Sequence, residues 1–252
     1  FSTPRAIFAL IVREMSTTYG RSPGGYFWAV AEPIAGIALL TFFFSLMLRA
    51  PALGSNFAYF YATGMVPFTF YVDVNAKVSL SLKFSRQLLF YPRVTFTDAL
   101  IARFLLSFFT QILIFFLVFL IIIQAYDIKP TLDFKSIFIG LGMAAILGLG
   151  IGTMNCFLIL RIPVWQRIWA IFTRPLFLVS SIFYLFETVP EPFQTFLWYN
   201  PLIHIVGMMR RGFFATYDAT YVSVSFVCIL SLVLMGFGLL LLGAYQRDLL
   251  HK

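Results

Sequence analysis

The residues that could do chemistry are few in this chain, and they stand apart from one another. His204 and His251 are its two histidines, and they are too far apart and too isolated to ligate a metal with any neighbouring cysteine or carboxylate. Cys156 and Cys228 lie in separate apolar runs, which predicts packing rather than a disulfide or a redox pair. The sequence contains no GxxxxGKS or GxxxxGKT phosphate loop and no assembled Ser, His and Asp set. We therefore expect no catalysis, no metal and no cofactor in this chain.

Charged residues inside apolar runs are the strongest remaining chemical signal. Arg174-Pro175 lies about two turns into such a run, and Arg167 precedes it on the same helical face. A charge inside a membrane is costly and usually faces the protein interior or a cavity. These arginines, with Arg21 and Arg161, predict contact with an anionic substrate or a lipid headgroup. The alternative for Arg174 is a structural ion pair with Glu32.

The apolar runs themselves indicate a membrane protein. The chain has 252 residues, of which 61% are hydrophobic and 11% are charged, whereas soluble domains are roughly one-quarter charged. Runs of about 20 apolar residues match the thickness of a bilayer when they are helical. The fold class is therefore an all-α membrane protein with a single domain, 1–252. Its predicted elements are an amphipathic interface helix in 1–22 and six transmembrane helices at 26–48, 57–77, 97–124, 136–160, 168–186 and 221–245.

The distribution of Lys and Arg predicts the orientation. Of the 18 basic residues, thirteen fall on the side of the membrane that also holds both ends of the chain. By the positive-inside rule both termini are cytoplasmic. The same rule accounts for the net charge of +8, so nucleic-acid binding is not expected. Residue 1 is Phe, and we expect some native N-terminal residues to be missing and no cleavable signal peptide.

The segment 187–220 differs from both a span and a loop. It is too apolar for a solvated loop, and each of its two apolar stretches is too short to cross a bilayer. We predict two half-helices that enter the outer leaflet and turn at Asn200-Pro201, forming a periplasmic gate. The alternative is a loop that lies flat at the interface. The residues assigned to the gate are Glu187, Trp198, Asn200, Pro201, His204 and Arg210.

Two further patterns have both a packing and a functional interpretation. Small residues recur every fourth position from Gly140 to Gly152, which favours close approach of another helix. Aromatic side chains at Phe70 and Tyr71 could stack on sugar rings, but packing in the core is the favoured interpretation.

Laid end to end, several short motifs resemble those of a known family. The family that they resemble is the permease subunit of bacterial capsular-polysaccharide and O-antigen ABC exporters, which are type 2 ABC exporters. Within this family, the resemblance favours the capsule branch. The motifs follow the family's order over almost the whole chain: Arg13-Glu-Met-Ser-Thr-Thr-Tyr19, Gly25-Tyr-Phe-Trp28, Glu32-Pro33, Gly64-Met-Val-Pro-Phe68, Leu88-Leu-Phe-Tyr-Pro-Arg-Val94, Arg174-Pro175 and Trp198-Tyr-Asn-Pro-Leu-Ile-His204.

This resemblance implies a transport subunit of the bacterial inner membrane rather than an enzyme. The expected partners are a second copy of the chain, two ATP-binding cassette subunits that bind ATP and Mg, and periplasmic and outer-membrane export proteins. The expected substrate is a lipid-linked anionic polysaccharide. The basic stretch after the second span carries an apolar tip, and we expect it to dock on the ATP-binding subunit. Its residues are Phe84, Arg86, Leu89, Phe90, Tyr91, Pro92 and Arg93.

Two other function classes stay open at this point. One is an ABC permease of the same architecture that exports O-antigen, teichoic acid, a lipid or a drug. The other is a membrane-embedded lipid or sugar transferase, which should carry clustered His, Asp or Glu residues. A gradient-driven carrier is disfavoured because the sequence has neither internal repeats nor midplane proton relays.

Overall fold

The computed structural model describes residues 7–13, 25–86 and 95–250, and these are helical with short connections and no strand. Four of the described helices are long and apolar enough to cross a membrane: Phe27–Met47, Phe96–Ala125, Phe134–Arg161 and Val224–Tyr245. The protein is thus an all-helical membrane protein, as the apolar runs predict.

Ten helices and one 3₁₀ turn make up the described part of the chain. The first, α1, covers residues 7–13 and is the described part of the predicted interface helix. The rest are α2 (Gly25–Met47), α3 (Phe57–Ser79), α4 (Ser81–Ser85), α5 (Phe96–Ala125), α6 (Phe134–Arg161), α7 (Trp165–Val179), the 3₁₀ turn Phe186–Thr188, α8 (Phe193–Trp198), α9 (Pro201–Phe213) and α10 (Val224–Leu250).

Side-chain caps determine where several helices begin. Thr95 accepts a hydrogen bond from the Asp98 backbone N–H, and the Asp98 carboxylate accepts one from the Thr95 backbone N–H. This capping box satisfies two donors that would otherwise be unpaired at the start of α5. Asp133 accepts from the backbone N–H of Lys135 at the start of α6 in the same way.

Helix α6 lies at the centre of the bundle and contacts α3, α9 and α10. Its small residues allow this close packing, as the four-residue spacing predicts. A Cβ added at Gly152 would lie 3.2 Å from the carbonyl oxygen of Asn75 in α3. A Cβ added at Gly150, on the opposite side, would collide with the carbonyl oxygen of Ser231 in α10.

Helix α3 is the most enclosed of the predicted spans, yet it carries charged residues. Its Asp73 carboxylate accepts a hydrogen bond of 2.7 Å from Ser107 in α5 and lies 3.2 Å from the ammonium group of Lys77. Pairing removes much of the cost of placing these charges among apolar helices. By contrast, no side chain of α7 is fully buried, so much of its surface is available to lipid, a partner or a cavity.

The fifth predicted span, 168–186, matches a shorter helix than expected. Helix α7 begins at Trp165 and ends at Val179, seven residues before the predicted end. Ser181 has a φ of 62°, a backbone region that ends a helix and that non-glycine residues seldom adopt. The next residue, Ile182, packs so closely on α3 that a Cβ at Gly64 would lie 3.1 Å from its Cα.

Replacing Gly150 by Ala is expected to weaken the contact between α6 and α10. The added methyl group would collide with the Ser231 backbone, and overpacking of this kind costs about 1–3 kcal/mol. A matched control is Gly142→Ala in the same helix, because a Cβ there meets nothing within 4 Å. Thermal unfolding in detergent should show a lower midpoint for Gly150→Ala only. Equal midpoints for the two variants would contradict the packing described here.

Candidate functional site

The candidate site is the segment between α7 and α10, where the chain leaves regular helix and then re-enters it twice. Helix α8 has six residues and α9 has thirteen, which correspond to lengths of about 9 and 20 Å. Both are shorter than the ~30 Å hydrocarbon core of a bilayer. The prediction of two short helices on either side of Asn200-Pro201 therefore agrees with the structure.

Asn200 ties the start of α9 to the end of α7. Its Oδ1 accepts from the backbone N–H of Leu202 at 3.1 Å, which is an N-cap. Its Nδ2 donates to the Val179 carbonyl at 3.3 Å and to the Ser180 hydroxyl at 3.2 Å. Pro201 occupies the first helical position, where the absent N–H has no effect on the helix. One amide side chain thus joins both ends of the turn.

His204 links three parts of the segment through one imidazole ring. The backbone N–H of Ser223 donates to its Nδ1 at 3.1 Å, so the ring proton resides on Nε2. Nε2 then donates to the Trp198 carbonyl at 2.8 Å. The Trp198 indole N–H in turn donates to the carbonyl of Tyr221 at 3.1 Å. These hydrogen bonds join α8, α9 and the residues just before α10 around a fully buried histidine.

Arg210 is fully buried, yet in the described part of the chain no carboxylate lies within ion-pair distance of its guanidinium. The guanidinium donates to the carbonyl of Tyr184 at 2.8 Å and to that of Ile182 at 2.9 Å. Its Cζ lies 4.3 Å from the centre of the Phe60 ring, a cation–π contact. The end of α7 leaves these carbonyls without helical N–H partners, and Arg210 supplies the missing donors.

Glu187 is also held in this segment, although not by Arg210. The Tyr217 hydroxyl lies 3.0 and 3.1 Å from the two carboxylate oxygens of Glu187 and donates to them. Burial raises the pKa of Tyr217, and the neighbouring Tyr221 and Glu187 raise it further, so this hydroxyl keeps its proton. The six residues predicted for the gate therefore lie within one hydrogen-bonded segment.

The residues predicted to contact an anion are dispersed. Arg161, Arg167 and Arg174 are all exposed in this chain, and Arg21 lies outside the described residues. Arg174 lines a cavity of about 560 Å³ between α3 and α7. Glu32 lines a different cavity, of about 330 Å³, between α2, α3 and α5. The ion pair considered for Arg174 and Glu32 is not formed within the described chain.

The structure describes one further set of predicted residues in full and another only in part. Phe70 and Tyr71 are 0% and 1% exposed, which agrees with the packing interpretation rather than with a sugar-stacking surface. Of the predicted docking stretch, Phe84 and Arg86 are exposed. Residues Leu89, Phe90, Tyr91, Pro92 and Arg93 lie outside the described residues.

Two polar contacts were not anticipated from the sequence. The Asn155 amide donates to Asn75 at 3.2 Å and accepts from the Trp165 indole N–H at 2.9 Å, joining α6, α3 and α7. The Arg103 guanidinium, 6% exposed, lies 4.2 Å from the Phe84 ring centre. A polar side chain within an apolar run indicates that such a contact exists. The sequence alone does not show which residue is the partner.

The sequence profile of ABC-2 type transporters matches residues 5–214. This chain belongs to the ABC-2 type transporter family. It is 26% identical to the polysialic acid transport protein KpsM of Escherichia coli over 242 residues, which cover 96% of this chain and 94% of that protein. It is 28% identical to the capsule polysaccharide export inner-membrane protein BexB of Haemophilus influenzae, covering 96% and 92%. The O-antigen export system permease RfbA of Klebsiella pneumoniae is 23% identical, covering 92% and 91%.

Replacing Arg210 by Met is expected to destabilise the fold by at least about 2 kcal/mol. The Ile182 and Tyr184 carbonyls would lose charge-assisted hydrogen bonds, which contribute about 1.5–3 kcal/mol each. The neighbouring Arg211 is exposed and has only a 3.8 Å contact to Asp218, so Arg211→Met is the control and should change little. The thermal midpoint in detergent distinguishes the two. Similar midpoints for both variants would show that the Arg210 side chain does not stabilise the fold.

Proposed function

We propose that this chain is the transmembrane subunit of an ATP-driven exporter that moves a lipid-linked anionic capsular polysaccharide out of the cytoplasm. The main support is that relatives named for capsule or polysialic acid export match this chain over nearly its whole length. The matched region includes the helices of the candidate gate as well as the apolar spans. A shared substrate pathway is a simple explanation of similarity that extends over all of these elements.

We further propose six membrane crossings, formed by α2, α3, α5, α6, α7 and α10. Helix α3 is not among the four clearest spans and carries charged residues near one end, but other helices enclose it. Helix α7 has 15 residues, or about 22 Å of helix. The following residues, 180–188, are non-helical or 3₁₀ and supply the remaining length to ~30 Å. In this arrangement both termini are cytoplasmic.

The energy source and the second copy are also part of the proposal. ATP is bound and hydrolysed by two separate ATP-binding subunits, because the sequence of this chain has no phosphate-binding loop. A homodimer agrees with the apolar surface that one chain leaves open. Helix α7 buries no residue, and α2 buries only Pro33 and Ile37 among its described side chains. Such faces are covered either by lipid or by another subunit.

Complementation tests the export function directly. A strain whose own capsule permease is deleted should regain surface polymer when it expresses this chain together with its ATP-binding partner. The level of surface polymer is measured with a polymer-specific antibody. Absence of polymer, with the chain inserted in the membrane and bound to its partner, would contradict the proposal. Restoration of O-antigen instead would favour the function named for the more distant relative, RfbA.

The segment from Glu187 to Arg211 is proposed to gate the outward mouth of the pathway. Replacing Asn200-Pro201 by Ala-Ala removes the cap of α9 and both hydrogen bonds to the end of α7. We expect export to be blocked while dimer assembly is kept. Asp218→Ala, an exposed change just outside this segment, is the control. Normal surface polymer in the Ala-Ala variant would refute the gate.

The stretch from Phe84 to Arg93 is proposed to dock on the ATP-binding subunit. Cysteine at Phe90 should form a cross-link with a cysteine placed in the groove of that subunit. A cysteine at Lys129, predicted on the opposite side of the membrane, is the control and should give none. A cross-link from residue 129 and none from residue 90 would reverse the proposed orientation.

A further inference from the structure

Two charged side chains of the predicted spans lack a partner of opposite charge in the described part of the chain. The carboxylate of Glu32 in α2 has neither an ion pair nor a hydrogen bond there, and the same holds for the guanidinium of Arg174 in α7. Both side chains are exposed on the surface of the chain. An ionised group that faces lipid is costly, so each requires a partner that the described residues do not supply.

The two groups lie at similar depths in the membrane. Glu32 is seven residues from the start of α2 at Gly25, and Arg174 is nine residues from the start of α7 at Trp165. These separations correspond to about 10 and 14 Å along the helices. In the proposed arrangement of six crossings, α2 and α7 both begin at the cytoplasmic surface. A two-fold axis perpendicular to the membrane relates two copies without changing depth, so Glu32 of one copy can meet Arg174 of the other.

The cavity beside Glu32 has an unbalanced negative charge. Its volume is about 330 Å³, and residues of α2, α3 and α5 line it. Asp73 also lines this cavity, but its carboxylate already contacts the Lys77 ammonium group and the Ser107 hydroxyl. Glu32 is therefore the carboxylate of this cavity that still requires a cation.

Two neutral acceptors of the same cavity are also available. Gln111 of α5 is 7% exposed, and its amide has no hydrogen bond among the residues that the structure describes. Pro33 has no N–H with which to donate to the carbonyl of Ala29, four residues earlier, and both residues line the cavity. A guanidinium carries five N–H donors in a planar fork, so it can donate to a carboxylate and to a neighbouring oxygen at once. The cavity thus suits an arginine side chain.

The surroundings of Arg174 within its own chain offer no anion. Arg174 lines the cavity of about 560 Å³ between α3 and α7, and no carboxylate is among the described residues that line it. This cavity shares Phe68, Val72 and Ala76 with the cavity of Glu32. The two cavities therefore adjoin along α3, one beside α7 and the other beside α2.

The helices that carry the two charges are poorly covered in a single copy. No side chain of α7 is fully buried, and α2 buries only Pro33 and Ile37 among its described side chains. Lipid chains can cover the apolar side chains of these helices, but they cannot neutralise the two charges. A second copy that packs its α7 against α2 would cover both faces and bring the opposite charges together.

We propose that Glu32 of one copy forms an ion pair with Arg174 of a second copy, with α2 of each copy packed against α7 of the other. Because a two-fold interface is isologous, the pair is formed twice in the dimer. The Gln111 amide and the Ala29 carbonyl accept further hydrogen bonds from the same guanidinium. This inference rests on the proposed homodimer and on the proposed orientation of α2 and α7, and it adds the residues that join the two copies.

Cross-linking between differently tagged copies of the full chain tests the contact. One copy carries Glu32→Cys and the other carries Arg174→Cys, and a short bifunctional thiol reagent is added to the membranes. We expect a cross-linked dimer that contains both tags, whereas Glu32→Cys combined with Lys129→Cys should give none. The unchanged chain, which keeps Cys156 and Cys228, gives the background. A cross-link that forms only within one chain carrying both new cysteines would overturn the proposal.

Charge reversal tests the ion pair itself. We expect Glu32→Arg and Arg174→Glu each to weaken dimerisation of the reconstituted full chain by at least about 10-fold, because each places like charges side by side. Chains that carry both changes should recover most of the wild-type affinity, since opposite charges then meet again. Energy transfer between labelled copies at several protein-to-lipid ratios gives the affinity. Lys129→Glu, an exposed change in the loop between α5 and α6, is the matched control.

The outcomes separate this ion pair from the proposed function. Single variants that dimerise as tightly as wild type, or a double variant no tighter than the single ones, would overturn the pair and leave the homodimer in place. A wild-type chain that stays monomeric at every protein-to-lipid ratio would refute the homodimer and the pair with it. Cross-linked dimers in a strain that exports no polymer would support the pair and refute export. If a single variant fails to fold, the double variant and the cross-link still decide.

Discussion

In apolar surroundings, a backbone carbonyl outside a regular helix needs another hydrogen-bond donor. Here one arginine side chain donates to two such carbonyls. Helix α7 ends at Val179, and Arg210 donates to the carbonyls of Ile182 and Tyr184 just beyond it. Without these bonds the break in the helix would be unfavourable in a bilayer, because no water is present to replace them. The position of α9, which carries Arg210, depends on this requirement. The proposed gate is therefore anchored at its buried end and linked by side chains elsewhere.

Elsewhere in the segment, the hydrogen bonds are made by neutral side chains rather than by a charged one. Asn200 and His204 each join two or more backbone groups through a single neutral side chain. Neutral hydrogen bonds contribute about 0.5–1.5 kcal/mol each, less than the charge-assisted bonds of Arg210. A segment with one strong anchor and several weaker links can move at its outer parts while its base stays in place. This gradient in bond strength suits a gate.

Much of the fold could be predicted from the sequence because the bilayer imposes a length on each apolar run. The ends of α2, α5 and α6 lie within two residues of the predicted spans. The glycine spacing of α6 also predicts its close packing. The end of α7 could not be predicted, because Ser180 and Ser181 are ordinary residues in a helix. The turn there depends on Arg210 and on Gly64 of α3, both distant in sequence.

The candidate site was predicted as a set of residues but not as a set of contacts. Prolines, aromatic residues and an arginine in a short apolar segment indicate that the chain turns within the membrane. They do not indicate that Arg210 would bind carbonyls rather than Glu187. The sequence also indicates a functional Arg174 because a charge in an apolar run is costly. Its cavity is formed with α3, about 100 residues earlier in the chain, and such a contact has no local sequence signal.

The central claim of this account is that the broken segment lies within the membrane, and the depth of α8 tests it most directly. A spin label at Phe196, which is 74% exposed in the middle of α8, reports that depth. Reference labels belong at Leu240 of α10, 72% exposed on a membrane span, and at Asp127 in an exposed loop. Collisions with oxygen, which dissolves in lipid, and with a water-soluble nickel complex are compared in reconstituted membranes. The account predicts that position 196 behaves like position 240; behaviour like position 127 would contradict it.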